Sequence, residues 1–269
     1  ALVMGRARAP PVRQLAGGIG NGPDGWTLSE VRAETPRSQF TVNGQIGPAS
    51  RGNAMHLEVN AERFAFQEWA GLLPGLRNIA VESRFTTTLD GPRTALATTL
   101  TLTSNQAGGV TFAGSVTADT LSAASGAGDI FWQSDITVSG QATLLTTGTV
   151  TLGNQDTDAF AFQGGLGRSG GATELRGSVS TSNFASITIG DIVFNGTSSI
   201  TTSGGLIALQ GAVTLSTGSI LGLVSSSGTI ALSGDVDGAL IGAGALSIGT
   251  GGTVTVSGAV GSTKAIGSL

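Results

Sequence analysis

Residues 149–153 read TVTLG: Val150 and Leu152 alternate with threonines before Gly153 closes the run. The same x-apolar-x-apolar-Gly/Ser unit returns as SITIG (186–190), AVTLS (212–216), TIALS (229–233), ALSIG (245–249) and TVTVS (253–257). A period of two marks a strand with one buried face. Each unit is too short to bury a core alone, so the units must stack. Thr and Val suit a pleated surface. Glycine permits tight corners between strands. Proline is absent beyond Pro92, so every backbone N–H there is free to join a ladder. These features predict an all-β fold: an elongated parallel β-solenoid or a long curved sheet of short strands. An antiparallel meander or sandwich is the competing arrangement. Counted from Val150, the units follow at intervals of 37, 26, 17, 16 and 8 residues, with no fixed period.

The composition narrows the function classes. The 269 residues carry a formal charge of −4, against the basic face a nucleic-acid binder needs. Cysteine is absent, which removes disulfides and thiolate metal sites. Only 11% of residues are charged, 44 are glycine, and tyrosine is missing. Regularly interspersed Val, Ile and Leu argue for a folded chain rather than a disordered one. No apolar run approaches the about 20 residues of a membrane-spanning helix. The start, ALVMGRARAPPVRQLAGG, lacks the apolar core of a signal peptide. The last residues, GTGGTVTVSGAVGSTKAIGSL (249–269), carry no polar cap and read as one rung plus the start of another. Both ends suggest a piece of a longer array.

Composition changes near residue 105, which divides the chain into segments 1–105 and 106–269. The first holds all seven prolines and 10 of the 13 basic residues; the second holds 32 of the 44 glycines. In the first, SQFTVNGQIG alternates Phe40 and Val42 before Asn43-Gly44, a tight-turn pair. Met55, Leu57 and Val59 share one strand face. Ile79, Val81, Ser83, Phe85, Thr87 and Leu89 share another, closed by Asp90-Gly91. Leu96, Leu100 and Leu102 form a third. Phe66, Trp69 and Leu73 are spaced as on a helix, which predicts a short helix near 62–73 ended by Pro74-Gly75. Its apolar residues include Phe64, Leu72 and Leu76, and Glu62, Arg63, Glu68 and Arg77 form its wet side. It is expected to plug an end or edge of the sheet.

Candidate chemistry is sparse. GRSGG (167–171) matches the G-x-S-x-G elbow around Ser169, but no helix-forming sequence follows and the one histidine, His56, lies in the other segment. His56 points away from the apolar face of its strand. Asp156 with Asp158, and Asp235 with Asp237, have the spacing of oxygen ligands for calcium, without the further ligands of a calcium loop. Turn or corner aspartates are the better reading. Near Lys264, GAVGSTKA lacks the glycine that precedes the lysine of a phosphate loop. Asn195 heads a glycosylation-type NGT. Trp132 is expected in the core. No catalytic, cofactor or metal residue is assigned.

Residues 62–105, ERFAFQEWAGLLPGLRNIAVESRFTTTLDGPRTALATTLTLTSN, resemble the AsmA/TamB-like family of bacterial envelope proteins, as does the preceding GWTLSEVRAETPRSQFTVNGQIG. That resemblance implies a curved sheet with an apolar inner face, and phospholipid or outer-membrane assembly proteins as partners. Residues 106–269 are similar instead to β-strand-repeat surface proteins of the filamentous-haemagglutinin and autotransporter-passenger type. The likeness is carried by DTDAFAFQGGLGRSGGATELRGSVSTSN and GTVTVSGAVGSTKAIGSL. It implies an extracellular solenoid that binds host-surface or cell-surface ligands. The expected protein is therefore a non-enzymatic, adhesin-like or structural element of the bacterial envelope, at the surface or in the periplasm. It takes no cofactor and no nucleic acid, and it is prone to self-association through uncapped solenoid ends. Lipid transport is the alternative role.

Overall fold

The computed structural model describes residues 10–47, 54–69, 82–92, 97–102, 109–112 and 115–269. Six longer strands come first: β1 (Gln14–Gly22), β2 (Gly25–Glu34), β3 (Gln39–Ile46), β4 (Ala54–Ala65), β5 (Glu82–Pro92) and β6 (Ala97–Leu102). They form an antiparallel meander in sequence order. Met55, Leu57 and Val59 are half-buried while His56, Glu58 and Asn60 are exposed, so the sheet has one apolar and one polar face.

The chain then winds into a parallel β-solenoid with three faces. The first turn is β7 (Val110–Phe112), β8 (Val116–Ala118) and β9 (Thr120–Ala123). The second is β10 (Ile130–Trp132), β11 (Ile136–Val138) and β12 (Ala142–Leu144), and the third β13 (Val150–Leu152), β14 (Ala159–Phe162) and β15 (Leu166–Arg168). In the next two turns, β16 (Thr173–Thr181) and β18 (Ile192–Thr202) each run through two faces, followed by β17 (Ile187–Ile189) and β19 (Ile207–Leu209). Then come β20 (Val213–Leu215), β21 (Ile220–Ser225) and β22 (Ile230–Leu232); β23 (Val236–Gly238), β24 (Ala243–Thr250) and β25 (Val254–Val256); and last β26 (Ile266–Ser268). Parallel pairing of β6 with β9, Thr99 opposite Thr120, makes the meander and one solenoid face a single 13-stranded sheet.

The interior is filled by ladders of side chains. On one face Val110, Ile130, Val150, Thr173, Ile192, Val213 and Val236 lie one above another, ending at a bridge to Val260. Successive turns therefore take 19 to 24 residues. On a second face the ladder Ile136, Phe160, Val179, Ile200 and Leu223 is fully buried. Trp132 is buried and stacks on Phe112, with ring centroids 5.5 Å apart. Each buried Leu, Ile or Phe contributes roughly 1.5–3 kcal/mol, and the core runs without a break from Ala61 and Phe85 to Leu246.

The uneven spacing of the sequence units now has a cause. TVTLG and AVTLS lie on one face, SITIG, TIALS and TVTVS on another, and ALSIG on the third. Those intervals compare strands from different faces. A regular marker sits two residues before the first strand of each turn: Gly128, Gly148, Gly171, Gly190, Gly211, Gly234 and Gly258. These glycines form one corner column. A Cβ on Gly148 would lie 2.5 Å from the carbonyl of Gly128 in the turn below, closer than any real contact.

Three local expectations change. Glu62–Ala65 belongs to β4, and the helix is a single 3₁₀ turn, Phe66–Trp69. The rest of that expectation (Leu72, Leu73, Leu76, Arg77) lies outside the described residues, as do Ile79, Val81 and Leu96. Asn43-Gly44 is no turn. It lies inside β3, where Gly44 takes φ +133° against the His56 carbonyl of β4 and the Asn43 side chain accepts the Glu30 N–H. Likewise Asp90-Gly91 runs on within β5.

Gly148→Ala should therefore lower stability by about 1–3 kcal/mol, because backbone must move to admit the methyl group. Gly222→Ala is the control: its nearest neighbour would be the Ser199 side chain at 3.9 Å, and it should be neutral or stabilising. Thermal unfolding of both variants checks this, and equal losses would contradict it.

Candidate functional site

Corners of the solenoid collect the polar residues that the sequence singled out. Where one turn passes over the last, the Asp129 Oδ1 accepts the N–H of Thr149 at 2.7 Å. Asp191 accepts from Ala212 and Asp235 from Ala259, both at 2.8 Å, at the equivalent corner. Asp237 accepts the N–H groups of Thr263 and Lys264. Asp158 caps its own turn by accepting from Asn154 and Gln155. Asp156 instead pairs with Arg176 at 2.7 Å in an exposed ion pair. Each aspartate of the two candidate calcium pairs thus has its own partner and turns to a different neighbour. Among the described residues no three His, Asp or Glu side chains converge as metal ligands.

The GRSGG stretch is a corner. Ser169 is exposed, and strand β16 follows it where an elbow requires a helix. Its neighbour Arg168 has the structural role. Arg168 faces inward in a ladder between Leu144 and Ile189, and is 1% exposed. Its Nη1 donates to the Thr146 carbonyl at 2.6 Å, and its Nη2 donates to Gly148 at 2.8 Å and Ala172 at 3.2 Å. Burial lowers the guanidinium pKa from its ordinary value. Sequence reading passed over this residue because a charge in a Gly-rich run looks like surface. The signal was positional, since 168 falls two residues after Leu166 in an inward register.

His56, Lys264 and Asn195 lie on strands or just before one. His56 sits on the polar face of the meander, between Gln45 and Asp90 in register. Lys264 donates its Nζ to the Ala239 carbonyl at 2.9 Å, and strand β26 follows it where a phosphate loop needs a helix. Asn195 lies in β18 and accepts the Ser216 hydroxyl at 2.7 Å.

A concave region lies where the meander meets the open first turn. It is a cleft of ≈ 450 Å³ with walls from β4, β5 and β6 (Val59, Phe85, Leu89, Leu100) and from the first turn (Phe112, Val116). Phe64 and Phe66 close one side. They belong to an aromatic cluster with Phe40, Trp69 and Phe85, at centroid distances of 5.0–5.8 Å. A polar lock holds that cluster. Glu68 accepts from the Thr35 hydroxyl at 2.6 Å and the Ser38 hydroxyl at 2.7 Å, and the Trp69 indole donates to Ser38 at 3.1 Å. The 3₁₀ turn thus fastens to the β2–β3 connection. Among the described residues, Thr87, Ser115 and Thr117 are the polar ones lining the cleft, and none of those lining it is charged. Such a surface suits an apolar ligand such as an acyl chain.

The chain matches no family model, no curated protein and no solved structure.

Arg168→Met should cost on the order of 3 kcal/mol by orphaning buried carbonyls, while Ser169→Ala should change stability by less than about 0.5 kcal/mol. Denaturant unfolding of both variants tests this; a silent Arg168→Met would contradict it. For Asp237, the Thr263 N–H above all, with the Lys264 N–H, holds the carboxyl below its ordinary value of 3.8. A depressed pKa means that the clip is intact above the ordinary carboxylate range and is lost as pH falls through the folded value. The amide signals of Thr263 and Lys264 should titrate with a midpoint below 3.8 and stop doing so in Asp237→Asn. A midpoint at or above that value would overturn the assignment.

Proposed function

We propose that this chain is a non-catalytic scaffold of the bacterial cell envelope, an elongated solenoid that serves at the cell surface as a stalk or adhesin-like display element. The observation that carries this reading is the filled interior between Ile130 and Leu223, where buried side chains form one continuous core. The outward positions support it. On one face Thr117, Thr137, Ala161, Ser180 and Thr201 follow one another in register, a flat uncharged strip suited to contact with a host-surface or cell-surface ligand. Asp129, Asp191 and Asp235 sit at the corners, where they clip turns together.

A lipid-carrying role is the second reading, and one observation favours it. The apolar face of the meander stays half-buried at Leu28, Val42, Leu57, Val59 and Leu89, and leads into the cleft at the first turn. A conduit or assembly factor of the TamB type needs such an apolar wall.

Two measurements separate the readings. Protease treatment of intact cells should degrade a surface stalk, and the purified chain should carry no phospholipid by native mass spectrometry. Protection of the chain in intact cells, together with co-purified phospholipid lost in Val59→Asp, would reject the surface role in favour of the lipid role.

A further inference from the structure

A corner in the middle of the solenoid carries a side chain that its backbone does not favour. Between β16 and β17 the Ala185 N–H donates to the Ser182 carbonyl at 2.9 Å and closes a tight turn. Its central residues, Asn183 and Phe184, take φ of +52° and +59°. Positive φ at both is the type I′ pattern, whose central positions favour Gly, Asn and Asp. A phenylalanine there is strained, and burial does not offset the strain, since Phe184 is 72% exposed. The neighbouring turns round the same corner with glycine, Gly164-Gly165 before β15 and Gly204-Gly205 before β19. The ring lies over the next turn. A Cβ added to Gly204 would sit 2.6 Å from the Phe184 ring and 2.8 Å from the Ser227 hydroxyl, so ring, bare backbone and hydroxyl meet across three successive turns. Asn183, Ser203 and Ser227 are exposed there. From the second turn to the seventh this corner (139–141, 163–165, 182–186, 203–206, 226–229 and 251–253) holds no Asp, Glu, Lys or Arg.

We infer that this corner is a binding site for a neutral glycan, with the Phe184 ring as its stacking platform. An aromatic face carries partial negative charge and takes up the C–H bonds on the apolar face of a sugar ring. The hydroxyl and amide groups around it both donate and accept hydrogen bonds, as sugar hydroxyls require. The lack of charge along the corner selects against phosphate, sulfate or carboxylate on the ligand. A single ring on an outer corner encloses too little apolar surface to hold an acyl chain. The strained turn then has a use: it presents the ring at the border of the outward strip that includes Ser180 and Thr201. This names a ligand class for the display role proposed above and rests on that reading for its setting alone. Binding is read on the purified chain, so its failure is distinct from a failure of the surface assignment, which the protease treatment of cells reads.

The test is a nuclear magnetic resonance titration of the whole chain with cellohexaose, chitohexaose and mannohexaose, each to about 10 mM, enough to fill a millimolar site. At least one should shift the amide signals of Asn183, Phe184, Ala185 and Ser203 saturably. Phe184→Gly should weaken that binding at least about tenfold. The same variant should unfold at an unchanged or higher temperature, because glycine relieves the turn. Heparin, an anionic glycan, should leave those amides unmoved. Four results would each overturn the inference: no saturable shift with any of the three neutral glycans, binding unaltered in Phe184→Gly, a lower unfolding temperature for that variant, which would make the ring a packing group, or heparin bound at the same amides.

Discussion

Everything in this molecule follows from one distance. Parallel strands hydrogen-bond only when neighbouring backbones lie about 4.8 Å apart, and a solenoid must hold that separation around its corners as well as along its faces. A side chain at a corner would hold the turns apart. The glycines at 148, 171, 211, 234 and 258, where a Cβ would meet the backbone of the turn below, remove it, and the corner aspartates bond to the N–H groups of the turn above. Hydroxyls do the same for carbonyls: Ser225 donates to Gly205 and Thr250 to Gly228 of the turn below. With the corners closed, the faces are drawn in, and the interior takes up alternate side chains of each strand.

That constraint also explains where the polar residues went. A chain with 44 glycines and few charges uses its charges where backbone groups lack a ladder partner. Arg168 is the extreme case: it replaces an aliphatic residue in the core because three or more corner carbonyls need a donor. The same logic places Asp156 and Asp158 around an insertion, the six-residue loop that widens the third turn between β13 and β14. Of the residues that look like candidate ligands in the sequence, Asp158, Asp235 and Asp237 are here hydrogen-bond partners for the main chain, while Asp156 pairs with Arg176.

The sequence made the strand units legible, because alternation such as Val150 and Leu152 is a local property. It concealed the period, because equivalent-looking units on three faces were compared with one another. The glycine two positions before Val150, Ile192, Val213 and Val236 would have revealed it, since that residue answers to the corner alone. The aromatic spacing of Phe66 and Trp69 was visible, but a 3₁₀ turn and an α-helix share it over so few residues. Asn43-Gly44 misled for a tertiary reason. Gly44 is needed where β3 passes close to the His56 carbonyl of β4, and no local pattern encodes that approach. The cleft was only half legible, since it joins residues of β4–β6 to Phe112 and Val116 across the change from antiparallel to parallel pairing.

Cross-linking tests the stacked arrangement most directly, and the absence of cysteine makes it clean. Thr117 and Thr137 are exposed and directly paired across successive turns, although 20 residues apart. Thr137 and Thr143 belong to consecutive strands on different faces, which a meander would pair. The solenoid requires that Thr117→Cys/Thr137→Cys form an intramolecular disulfide under mild oxidation, read by peptide mass spectrometry, and that Thr137→Cys/Thr143→Cys remain reduced. The reverse outcome would contradict the parallel stacking on which the whole account stands.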